Sequence, residues 1–74
     1  MNTLEYKARN EHDLHVLCDI CKEYKCDIDA MQGNRIVDAK SILGLYTLNI
    51  CNTITLKLHG SDADVDSIKR RLFI

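Results

Sequence analysis

Apolar residues recur at every second position near the start of the chain, where Leu4, Tyr6 and Ala8 alternate with polar neighbours in "TLEYKA". Period two is the pattern of a half-buried strand. The pattern then changes: Leu14, Leu17, Cys18, Cys21 and Tyr24 follow at three- and four-residue spacing, and Asn10, with Asp13 three residues on, supplies an N-cap. This predicts an amphipathic helix. Two short strands, "CDIDAM" and "RIVDA", flank "QGN", where Gly33 can take the positive φ of a tight hairpin turn. A second helix is expected over Ser41 to Leu48, closed by Asn49 in the left-handed conformation. A fourth strand, "TITLKLH", turns Ile54, Leu56 and Leu58 inward. Ser61 or Asp62 then caps a last helix, in which Val65, Ile68 and Leu72 share a face. Asp64 near its start and Lys69, Arg70 and Arg71 near its end suit the helix dipole.

The predicted order is β-α-β-β-α-β-α. Strands apolar on one face and helices apolar along one stripe imply an α+β, two-layer open-faced sandwich: a four-stranded antiparallel sheet covered on one face by three helices. A chain of 74 residues has room for one such domain, residues 1–74, and for one core.

Charge and composition remove several function classes. Ten Lys and Arg against eleven Asp and Glu leave a formal net charge of -1, which argues against general nucleic-acid binding. The opening "MNTLEYKARNEHD" lacks the apolar core of a signal peptide, and no run approaches the roughly 18 apolar residues of a membrane span. A cytosolic location is therefore expected, without membrane contact and with Cys18, Cys21, Cys26 and Cys51 as thiols. No catalytic or cofactor motif is present, so the chain reads as a non-enzyme that needs no cofactor.

The element order, together with "GNRIVDAKSILGLYTL" and "ITLKLHGSDAD", resembles HPr, the histidine-containing phosphocarrier of the sugar phosphotransferase system. The resemblance covers nearly the whole chain. Its most specific part is "VDAKSILGL", where Ala39, Lys40, Ser41, Ile42, Gly44 and Leu45 match the family's regulatory-serine segment. The match implies that Ser41 corresponds to a serine modified by a dedicated kinase, and that Ile42, Leu43 and Tyr46 correspond to an apolar docking patch for protein partners. Helical spacing places Leu45 and Leu48 inside and Tyr46 outside. Ser41 also has an ordinary structural use, since a serine at this position caps a helix.

Phosphotransfer in the family depends on a histidine in a Gly-Leu-His-Ala-Arg-Pro segment at the start of the first helix, and this chain contains no proline. Counting back from Ser41 without a gap puts Asn10 at the histidine position and His12 at the arginine position. Matching "DLH" to Gly-Leu-His makes His15 the acceptor instead, but removes about 1.5 turns of helix one. The first register is preferred, because loop residues are deleted more readily than packed helix. It leaves Arg9 as the nearby arginine and His12 as a candidate relocated acceptor, while His59 has no evident partner. The chain is similar in this respect to the catabolite-repression variant of HPr. The expected function is a regulatory protein-binding module of the phosphotransferase or catabolite-control network, with a serine kinase among its partners. The alternative is a working phosphocarrier using His15 or His12.

A small zinc-binding module is the third reading, because "HVLCDICKEYKC" spaces His15, Cys18 and Cys21 at i, i+3 and i+6 with Cys26 beyond. Helical positions spread those side chains around the axis, so Cys18 and Cys21 read better as core residues, and Cys26 and Cys51 as strand or loop fillers.

Overall fold

The computed structural model describes residues 2–72. The period-two segments form β1 (Thr3–Tyr6), β2 (Ile28–Gln32), β3 (Arg35–Asp38) and β4 (Ile54–Leu58), which assemble in the order β1-β4-β2-β3 with every neighbour antiparallel. Register sets the faces. The row Leu4, Leu56, Ala30 and Val37 lies on the covered side, and the next row, Thr3, Lys57, Asp29 and Asp38, lies on the open side. The hairpin between β2 and β3 turns at Gly33, whose φ is +61°, while no non-glycine described has positive φ. Positive φ at the first central residue alone is the pattern of a type II′ turn.

Helices α1 (Glu11–Lys22), α2 (Ile42–Leu45) and α3 (Asp62–Leu72) complete the two layers. Leu14, Leu17, Cys18 and Cys21 of α1 are buried, and Ile68 of α3 joins the same core. Asn10 caps α1, its side chain accepting from the Asp13 amide at 3.0 Å. Ser61 and Asp64 cap α3 reciprocally, each side chain accepting from the other's amide at 3.3 Å. Beyond α1, Glu23 and Tyr24 donate to the carbonyls three residues back, so the expected extension to Tyr24 is a tightened turn.

Helix two departs further from expectation. It is a four-residue α-helix, and Thr47 and Leu48 continue it with bonds to Gly44 and Leu45, three residues back. Gly44 weakens the interior, and the Thr47 hydroxyl donates to the Gly44 carbonyl at 2.7 Å, competing with regular winding. Asn49 does not adopt the left-handed conformation. Gln32, at the end of β2, closes the segment: its Oε1 accepts from the Asn49 amide at 2.7 Å and its Nε2 donates to the Asn49 carbonyl at 2.7 Å. A tertiary clamp replaces the local stop signal.

Gly60 is needed for close approach, because a Cβ there would lie 2.6 Å from Asp64 Oδ2 and 2.8 Å from Cys26 Sγ. Cys26 thus seats the loop after α1 against the β4–α3 turn. No described helix is long and apolar enough to cross a membrane.

Candidate functional site

Two segments carry the residues that the sequence singles out, and the first is the approach to α1. Asn10 holds an extended backbone, with φ −160° and ψ 178°, and spends its Oδ1 on the helix amide of Asp13. The Asp13 carboxylate is buried and turns back on Arg9. It accepts from the Arg9 amide at 2.8 Å, from Nε at 2.9 Å and from Nη2 at 3.2 Å. The guanidinium hydrogen bonds, then the backbone one, hold Asp13 below the usual aspartate range, and the same contact holds Arg9 above its own. Burial, followed by the Asp13 charge, pushes the neighbouring Tyr6 phenol up.

A depressed carboxyl pKa stabilises the fold above its unfolded value, near pH 4, and that contribution is lost as pH falls through the folded value. Wild-type protein should therefore lose stability on acidification from about pH 5 to pH 2. Asp13→Asn should be less stable than wild type at pH 7 and should show a shallower acid limb. Urea midpoints across that range measure both, and parallel limbs would remove Asp13 from the account. The exposed Glu23–Arg71 pair, with bonds of 3.0 and 2.8 Å, also lowers Glu23 and is common to both proteins.

The second segment is the turn into α2. Asp38 organises it, accepting from the Lys40 amide on Oδ1 at 2.9 Å and from the Ser41 amide on its carbonyl at 3.0 Å. Ser41 Oγ then accepts from the Gly44 amide at 3.2 Å, an N-cap that contributes about 1 kcal/mol in comparable helices. Gly44 brings this helix against β3, since a Cβ there would stand 3.3 Å from Val37 Cβ. Leu45 and Leu48 are buried, Ile42 is half-buried, Leu43 is 76% exposed and Tyr46 is exposed. The expected inward and outward positions are the observed ones.

The segments meet through His15, whose Nε2 is hydrogen bonded to the Tyr46 hydroxyl, with the rings edge to face at 5.6 Å and 74°. His12, His15, Val16 and Asp19 share the exposed stripe of α1 by their spacing, and Val16, like Leu43 and Tyr46, is an exposed apolar side chain. Val16 escaped the sequence reading because it interrupts an otherwise polar face. His12 is exposed in the first turn. His59, without an evident partner in the sequence, binds Asp29 Oδ2 on the open sheet face at 2.9 Å.

The four cysteines separate by environment. Cys18 and Cys21 are buried under α1, Cys26 is half-buried and Cys51 is exposed, the last two in loops. Burial, with a smaller effect of Cys18, pushes the Cys21 thiol up to about 12. His15 is exposed whereas Cys18 and Cys21 are buried, and among the described residues no three His, Cys, Asp or Glu are grouped to hold a metal ion.

Comparison with known proteins agrees with this architecture. Residues 3–70 match the family model described as the PTS HPr component phosphorylation site. The chain belongs to the HPr family of the phosphotransferase system. Its structure is similar to that of HPr-C-His from Thermoanaerobacter tengcongensis, with a TM-score of 0.78 and 18% identity over 97% of this chain and 91% of that one. It is also similar to a phosphocarrier protein HPr from Bacillus anthracis str. Ames, with a TM-score of 0.71 and 18% identity over 95% of this chain and 90% of that one. No curated protein gives a significant sequence match.

Proposed function

We propose that this HPr-family chain is a regulatory protein-binding module of the phosphotransferase or catabolite-control network, modified on Ser41 and carrying no phosphoryl group on histidine. It is not itself an enzyme. The observation that carries the reading is the Arg9–Asp13 pair at the start of α1, in which the carboxylate is buried and holds the arginine by backbone and side chain. A phosphoryl group held on a histidine needs free donors around its oxygens, normally helix amides and an arginine. Here Arg9 turns its amide, its Nε and its Nη2 to Asp13, a buried carboxylate that offsets the guanidinium charge and repels an incoming anion. Asn10, at the position the family gives to histidine, is occupied with capping. His15 stands in the second turn, bonded to Tyr46.

In this reading Ile42, Leu43 and Tyr46, with Val16, form the apolar docking surface, and Ser41 at its edge is the residue a serine kinase modifies. A phosphate there brings about two negative charges beside the patch without disturbing the core, and adds attraction to a basic partner or repulsion from an acidic one.

One experiment with two reactions tests the proposal. Incubation with phosphoenolpyruvate and the upstream kinase of the phosphotransferase system should add no acid-labile phosphate. Incubation with ATP and a family-type serine kinase should add one phosphoryl group, lost in Ser41→Ala. A phosphoryl mass gain from phosphoenolpyruvate that disappears in His15→Ala or His12→Ala would establish a phosphocarrier instead. Failure of the serine kinase to label this chain, where it labels another HPr, would reduce Ser41 to a helix cap.

A further inference from the structure

Lys40 stands immediately before Ser41, and its half-buried side chain reaches away from the docking surface. Its Nζ donates to the backbone carbonyl of Tyr24 at 2.6 Å, just past the C-terminus of α1. Carbonyls at a helix end carry negative partial charge and lack partners along the chain, so an ammonium satisfies them. The joint it holds is also where α1 is tied to α3. The Tyr24 hydroxyl shares a 2.7 Å hydrogen bond with Ser67 Oγ, and Glu23 holds the Arg71 guanidinium with two bonds. One lysine therefore links the threshold of α2 to the meeting point of α1 and α3.

We propose that Lys40 transmits the modification state of Ser41 to this joint: a phosphate on Ser41 draws the Lys40 ammonium off the Tyr24 carbonyl. The inference rests on the reading of Ser41 as a modified residue. Transfer of the γ-phosphoryl group of ATP forms an Oγ–P bond, breaks the bond from that phosphorus to the β–γ bridging oxygen, releases ADP and passes the hydroxyl proton to solvent. The neutral hydroxyl becomes a group of charge about −1.5 to −2. An ammonium is attracted to such a charge far more strongly than to the neutral amide dipole that now holds it.

Two further observations favour the exchange. Between Ile36 and Leu56, Lys40 is the only lysine or arginine, so no other basic side chain of this stretch competes for the phosphate. The Lys40 and Ser41 amides are both anchored on Asp38, so the side chain can rotate while the turn stays in place. The Asp38 carboxylate, bonded to the Lys40 amide, adds negative charge to the same corner. Loss of the ammonium leaves the Tyr24 carbonyl to solvent and loosens the tightened turn in which Glu23 and Tyr24 donate to Ile20 and Cys21. Modification on one side of the molecule is then read at the junction of α1 and α3.

The test compares the full chain with and without phosphoserine installed at position 41 during synthesis. Amide exchange and chemical shifts should change at Glu23, Tyr24 and Lys25 as well as around Ser41, with exchange at Glu23 and Tyr24 severalfold faster, and the Lys40 Cε resonance should move. In Lys40→Gln, those two amides should exchange faster before modification, and the phosphate should add nothing there. Changes confined to residues 38–46, or an undiminished response at Tyr24 in Lys40→Gln, would overturn the proposal. The phosphoserine comparison in the wild-type background stands even if Lys40→Gln folds poorly. Because the phosphoserine is installed, a kinase that ignores Ser41 counts against the proposed function and leaves this coupling to its own result.

Discussion

Leu45→Ala should cost about 2–5 kcal/mol, a large part of the roughly 4–11 kcal/mol that holds a domain of this size together. Leu45 is fully buried at the end of a helix of four residues. A helix that short has almost no stability of its own, because its nucleation cost is spread over too few bonds. The segment is held in place by Leu45 and Leu48 in the core, by the Ser41 cap and by the Gln32 clamp behind it. Removing the Leu45 side chain leaves a cavity at the point where the docking segment is anchored. Leu43→Ala, two residues away and exposed, should change stability by less than about 0.5 kcal/mol. Urea denaturation of the two variants gives the comparison. Similar losses in both would mean that α2 is not anchored as described.

Cys21→Ser should be the next most damaging, at about 1–3 kcal/mol, because it places a hydroxyl without an arranged partner where a fully buried thiol now packs. The physical cause is the one that raises the thiol pKa, namely an environment that solvates charge and polarity poorly. Chelator should leave the melting temperature of the wild type unchanged, and the loss in Cys21→Ser should be the same with or without added zinc. Unfolding by chelator would identify Cys21 as a metal ligand and make zinc the better account.

These expectations concern two neighbouring regions that the sequence described unequally. The caps were legible because they are local: Asn10 reaches Asp13 and Ser41 reaches Gly44, three residues on in each case. Leu45 inside and Tyr46 outside followed from helical spacing, although the helix itself is shorter than its apolar pattern suggested. The Arg9–Asp13 pair was present in the sequence as four-residue spacing. That Asp13 is buried and takes the Arg9 amide as well depended on how the chain enters α1 over the sheet.

Alternation and helical periodicity determined the element order, the faces of the strands and the two-layer architecture, because burying one face of each element leaves few arrangements for a chain of this length. The segment around Ser41 carried the family resemblance in contiguous residues. The tertiary structure decided the contacts between residues far apart in the chain. Lys40 on Tyr24, Gln32 on Asn49 and His15 on Tyr46 join positions separated by 16, 17 and 31 residues, and no local periodicity encodes such pairs. They also decided how the turns after α2 are closed, since the Gln32 side chain arriving from β2 satisfies backbone groups of Asn49 that the segment would otherwise leave unpaired.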